Sequence, residues 1–237
     1  MRNGRYIFVL SVLLLLSIGI VGNMPEKAFV TYTGANAAKL KPHIVIDCGH
    51  GGEDGGAVSD DGVLEKDLNL QIGLYLEKFF VYNGFDVTMT RTDDAAIYDE
   101  NAKTLREKKK SDLHNRTDIV NSSDNNILIS IHQNKFSDSK YFGTQVFYSE
   151  NNQLSVYIAD NIRLAVKGLL QNTNERKCKI ATSDIYLLNK ATVPAVLVEC
   201  GFLSNRSETE KLVDKNYQKQ LAYSIFSGFL EFYYNNY

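Results

Sequence analysis

Short β-branched runs alternate with longer stretches of helical spacing along most of this chain. His43-Ile44-Val45-Ile46 follows Pro42 and leads into Asp47-Cys48-Gly49, which predicts a buried strand entering a glycine-rich loop. From Leu64 to Asn83, the residues Leu68, Ile72, Leu76 and Phe80 recur at every fourth position, with Tyr75 and Phe79 alongside, as in an amphipathic helix. Asn83-Gly84 supplies a stop, and Phe85 to Thr90 alternates as a second strand. Residues 101–121 are polar and helix-compatible. Asn126 to Ile131 predicts a third, buried strand, and Phe142 to Tyr148 another alternating one. Leu154, Ile158, Ile162, Ala165 and Leu169 mark a second long helix. Ile185 to Leu188 and Ala195 to Val198 read as short strands, and residues 207–234 as a closing helix rich in leucine and aromatics.

Strands interleaved with helices predict one α/β domain, with a largely parallel or mixed sheet covered by helices on both faces. No internal repeat and no second domain is visible in the pattern. With 44% apolar and 23% charged residues, the 237-residue chain has the composition of a folded globular protein. That excludes a disordered, collagen-like or disulfide-dense chain. A formal net charge of −2 gives no reason to expect a nucleic-acid partner.

The N-terminal segment departs from this pattern. Arg2 and Arg5 precede a 16-residue run without charge, Tyr6 to Val21, the layout of an export signal. The run is short against the roughly 20 residues of a membrane span. A small-x-small cleavage site is absent just after Val21, and Ala35-Asn36-Ala37 lies far beyond the run. Residues 1–23 therefore read as a cleaved signal peptide or a signal anchor, 24–41 as a polar linker and 42–237 as the folded domain. Without Arg2 and Arg5 the exported part carries 24 positive against 28 negative charges.

Three cysteines make no disulfide framework, because an odd count leaves a free thiol. Cys48 and Cys200 suit small apolar positions, and a bridge between them requires neighbouring strands. Six positive and two negative charges lie between Lys103 and Arg116, which reads as a solvated helix face, with contact to an anionic polymer as the alternative. The C-terminal aromatics Phe229, Phe232, Tyr233, Tyr234 and Tyr237 suit core packing or a partner surface.

Ligand sites of open α/β sheets lie at the carboxyl ends of the strands. His50 follows the first strand, His132 ends the third, Glu199 ends the last β-rich run, and Glu65 opens the first helix. Two imidazoles and one carboxylate, with a fourth position left open, form the donor set of a catalytic zinc site. A zinc ion there acidifies water and polarises a scissile carbonyl. Glu199 would then carry the proton from water to the leaving nitrogen. Taken singly, each residue also has a structural role open to it: a hydrogen-bonded histidine, a carboxylate at a helix N-terminus, an ion-paired glutamate. The stretch Gly49 to Gly56 lacks the ending of a P-loop and, with Asp54 at the third glycine position, fails G-x-G-x-x-G.

Asp47-Cys48-Gly49-His50-Gly51-Gly52-Glu53-Asp54-Gly55-Gly56-Ala57 resembles the opening motif of the zinc-dependent N-acetylmuramoyl-L-alanine amidases, bacterial cell-wall hydrolases. The resemblance continues through Glu65-Lys66-Asp67-Leu68-Asn69, Thr90-Arg91-Thr92, Arg116 and Ser130-Ile131-His132-Gln133-Asn134. It ends with Val198-Glu199-Cys200-Gly201-Phe202-Leu203-Ser204-Asn205, so that ordered motifs span nearly all of residues 43–234. It implies a mixed, roughly six-stranded sheet flanked by helices, with His50, Glu65 and His132 as zinc ligands and Glu199 as the catalytic glutamate. The implied reaction is hydrolysis of the amide between N-acetylmuramic acid and L-alanine in peptidoglycan.

Cys48 stands where the family commonly has proline, Gln133 where a small residue follows the histidine, and Cys200 where threonine is frequent. None of these removes a ligand. Gly55-Gly56 and Asp184-Ile185-Tyr186-Leu187-Leu188 look most like the germination-specific, spore-cortex branch, as does the layout of one export signal plus one catalytic domain. The resemblance brings no wall-binding repeat, so targeting would rest on the N-terminal segment, the substrate or an activating partner protein. Two other functions fit the same residues: a zinc peptidase acting within the stem peptide, and a catalytically weak wall-binding or scaffold protein.

Overall fold

The computed structural model describes residues 41–237. The N-terminal apolar run and most of the linker lie outside the described residues. Among those described, no helix is long and apolar enough to cross a membrane.

The sheet has six strands: β1 (His43–Cys48), β2 (Val87–Met89), β3 (Asn126–Asn134), β4 (Gln145–Tyr148), β5 (Lys179–Ile180) and β6 (Ala195–Phe202). Their order is β2-β1-β3-β6-β4-β5. The pairs β1–β2, β1–β3, β3–β6 and β4–β5 are parallel, and β4 runs antiparallel to β6. The helices are α1 (Glu65–Tyr82), α2 (Leu105–Val120), α3 (Leu154–Leu169), α4 (Tyr186–Lys190), α5 (Arg206–Leu212) and α6 (Lys215–Asn236). This is the single α/β domain with a mixed six-stranded sheet that the sequence implied.

Because side chains alternate across a strand, the apolar runs feed two cores. Ile44, Ile46, Ile127, Ile129, Ile131, Val196 and Val198 face a large core shared with α1, α3 and α6. Val45, Leu128, Ala195 and Leu197 face a smaller one closed by Val120 of α2 and Leu187 and Leu188 of α4. On this second face the carboxyl ends of the central strands turn polar, at Asp47, Ser130, His132 and Glu199. Ser130 Oγ donates to Asp47 Oδ2 at 2.6 Å across β1 and β3. His132 lies directly opposite Glu199 across β3 and β6.

Several expectations shift. Ile185 to Leu188 is not a strand: Tyr186–Lys190 forms a short helix that packs Leu187 and Leu188 into the smaller core. Its apolar run is too short for periodicity to separate strand from helix. The neighbouring edge is instead taken by β5, two exposed residues with no sequence signature. The closing helix is two helices, because Asp214 caps α6 by accepting from the Tyr217 N–H at 2.8 Å. β1 and β6 are separated by β3, so Cys48 and Cys200 form no bridge; Cys48, Cys178 and Cys200 are free thiols. Of the C-terminal aromatics, Phe229 and Phe232 are fully buried, whereas Tyr234 is 75% exposed.

Candidate metal centre

The loop between β1 and α1 carries His50 in a left-handed conformation, φ 64°, which costs a non-glycine residue on the order of 1–3 kcal/mol. Two buried arginines hold it there through the carbonyls around it. Arg116 of α2 donates to the Cys48 and His50 carbonyls at 2.8 Å each and pairs with Asp47 at 2.6 Å. Arg91 donates to the Cys48 carbonyl at 2.9 Å and the Gly49 carbonyl at 3.1 Å. Glycine is required on both sides of His50. A Cβ at Gly49 would lie 2.2 Å from the His132 ring, and one at Gly56 would lie 2.6 Å from Glu65 Oε2.

Glu65, buried at the first turn of α1, is the hub of the site. Its Oε2 accepts from the Ala57 N–H at 2.7 Å, and its Oε1 from the Gln133 N–H at 3.0 Å. His50 Nε2 lies 3.3 Å from Oε2 and His132 Nδ1 2.9 Å from Oε1. Asn69, one turn along α1, donates to Oε1 and to the Gly49 carbonyl, and accepts from Gln133 Nε2. Burial opposes ionisation of Glu65, but both histidines hold its carboxyl far below the usual range. His50 is pulled down by burial yet raised to about 9 by Asp54, 3.0 Å from its Nδ1, and by Glu65.

One donor atom each from His50, Glu65 and His132 falls within 4.8 Å of the others, a spacing a single metal ion can bridge. The donor chemistry, two imidazoles and a carboxylate, fits zinc. Glu199 stands beside them on β6, and its Oε2 is buried without a hydrogen-bond partner. Burial, reinforced by the Glu65 charge, pushes its carboxyl up to about 7 against the pull of the histidines. A carboxylate poised near neutrality and left unpaired can both accept and return a proton.

The model of the N-acetylmuramoyl-L-alanine amidase family matches residues 44–231. The chain belongs to this family. The amidase is 37% identical over 194 residues to the germination-specific N-acetylmuramoyl-L-alanine amidase of Bacillus subtilis (strain 168), an alignment covering 80% of this chain and 79% of the relative. It resembles the CwlD amidase of Clostridioides difficile, solved in complex with the GerS lipoprotein, at 41% identity and a TM-score of 0.79, over 82% of this chain and 100% of that one. It also resembles an N-acetylmuramoyl-L-alanine amidase from Clostridium difficile 630, at 29% identity and a TM-score of 0.70, over 83% and 100% of the two chains. The likeness to the germination-specific branch, first visible in short motifs, thus extends over about four fifths of the chain.

The structure brings the four sequence-derived site residues, His50, Glu65, His132 and Glu199, to one place. Sequence reasoning gave no role to the residues that hold them, Asp47, Asp54, Asn69, Arg91 and Arg116, although all five lie in the motifs that carry the family resemblance. Asp47 left a trace, a charge at the end of a β-branched run. Asp54 stood out only as a charge in the glycine-rich motif, and its pairing with His50 is set by the loop's turns rather than by periodicity.

Proposed function

We propose that this chain hydrolyses the amide between the lactyl group of N-acetylmuramic acid and the L-alanine of the stem peptide, with zinc held by His50, Glu65 and His132. When bound, zinc supplies a Lewis acid that polarises the scissile carbonyl. Glu199 removes a proton from the attacking water and delivers it to the leaving nitrogen; the C–N bond breaks to a carboxylic acid and a free α-amine. Asp54 orients the His50 ring, and Asn69 with the Ala57 and Gln133 amides orients Glu65. The observation that carries this reading is the convergence of three donor atoms beside a buried, unpartnered carboxylate oxygen on the adjacent strand.

The physiological setting we infer is spore-cortex maturation or germination, supported by the germination-specific relative in Bacillus subtilis. Export by the N-terminal segment follows from the substrate, which lies outside the membrane. A partner protein belongs to the reading as well, supported by the similar amidase solved with a lipoprotein. Digestion of purified peptidoglycan, with and without a chelator, tests the reaction. Mass analysis should find stem peptides with free L-alanine amino termini only when zinc is available. Cuts inside the stem peptide would replace the amidase by a peptidase, and no product with zinc and partner supplied would leave only a wall binder.

A further inference from the structure

The basic run on α2 is not a uniformly solvated face. Lys108 pairs with Glu53 at 2.6 Å and lies over the Tyr98 ring. Lys109 reaches Asp54 at 3.4 Å, the carboxylate that holds His50 Nδ1 at 3.0 Å. Two side-chain contacts therefore connect the metal centre to Lys109. There a cavity of about 190 Å³, walled by Gly51, Tyr98 and Leu105 and by the ion-paired carboxylates Glu53, Asp54 and Asp112, adjoins a groove of about 550 Å³ between α2 and α4, with Lys109 lining both. Arg106, Lys109, Lys110 and Lys190 line the groove around His114 and Tyr186, whose rings stack 6.0 Å apart. No carboxylate lines it among the described residues. Glu107 is occupied in the capping box with Thr104, and Asp112 in holding Arg116. In a chain of net charge −2, Arg106, Lys110 and Lys190, which form no ion pair among the described residues, give the groove a local field that selects anions.

We propose that this groove receives the carboxylate-bearing stem peptide of the substrate, running from the metal centre past Asp54 and Lys109. The inference rests on the amidase reading and adds the direction in which the peptide leaves the scissile bond. An extended peptide advances about 3.3–3.6 Å per residue, so a stem of four or five residues is long enough to leave the centre and enter the groove. Its free carboxylates meet the cations, and the stacked His114 and Tyr186 rings offer a flat wall to its backbone. Because these contacts are made equally in the ground state and the transition state, they lower KM without raising kcat.

The test compares two zinc-loaded proteins, the unmodified chain and the double variant Arg106→Glu/Lys110→Glu, on a soluble disaccharide–peptide. One substrate keeps its stem carboxylates free; in the other they are converted to amides. The unmodified enzyme should lose about tenfold in KM on amidation, with kcat within twofold, and its preference should fade at high salt. The variant should show the high KM with both substrates. Equal KM for the two substrates with the unmodified enzyme overturns the proposal, even if the variant folds poorly. Unchanged kinetics in the variant, with loss of binding to phosphatidylglycerol vesicles, also overturns it and assigns the groove to a membrane surface. Absence of hydrolysis by the unmodified enzyme on either substrate, with partner supplied, would instead refute the amidase reading on which the proposal stands.

Discussion

At the scale of single residues, Glu199 and His132 are neighbours across β3 and β6 to which the proposed mechanism gives different tasks, and substitution separates them. Glu199→Ala removes a proton carrier but no ligand. Hydrolysis should fall by at least 10²-fold, the usual worth of a positioned acid–base group, while zinc content measured by atomic absorption stays at that of the unmodified protein. Activity near the original level would remove Glu199 from the reaction. His132→Ala takes away one of the three proposed protein ligands. Its zinc content should drop together with activity; an unchanged content would mean that another residue completes the site.

At the scale of elements, the larger core depends on how closely its helices approach the sheet and each other. Gly228 of α6 lies against α3, where an added Cβ would sit 2.5 Å from Ile162 Cα and 2.7 Å from the Asn161 carbonyl oxygen. Only backbone stands in its way, so α3 and α6 must separate. Gly228→Ala should cost about 1–3 kcal/mol in urea unfolding, the range of overpacked core positions. A variant as stable as the parent would show that this crossing is looser than its geometry. Elements are also where local reading of the sequence fell short. The Ile72–Leu76–Phe80 stripe of α1 and the β-branched runs of β1 and β3 were legible because each buries a repeating apolar face. The Ile185–Leu188 run was not, because four apolar residues satisfy either period until their neighbours are known.

At the scale of the molecule, the polar end of the smaller face is held by a buried ion pair. Burial opposes the charge on Asp47, but Arg116 and the Ser130 hydroxyl hold its carboxyl down at about 2. A group with a lowered value in the folded state contributes its stability fully above its unfolded value near 4 and loses it as pH falls towards 2. The loss is about 2 kcal/mol over that window. Chemical unfolding at pH 5 and pH 2 should therefore show a larger decline in the unmodified protein than in Asp47→Asn, in which the other acidic groups, Glu65 and Asp54 included, still titrate. Equal declines would show that Asp47 does not couple to folding. The variant should also be less stable than the parent at pH 7, by less than the roughly 3–5 kcal/mol of a fully orphaned buried charge, because Arg116 loses Asp47 but keeps Asp112 at 2.7 Å.

The sequence by itself determined the fold class, most of the strands and the long helices, and it pointed to the four residues proposed as the site. Those depend on local periodicity and on ordered motifs, which a chain displays without folding. Only the tertiary structure decided that His50, Glu65 and His132 meet within 4.8 Å, that Cys48 and Cys200 stand apart, and that the lysines of α2 reach the metal centre through Asp54. The physical reason is the sheet order. Placing β3 between β1 and β6 sets residues from distant segments side by side, and no local pattern records which strands become neighbours.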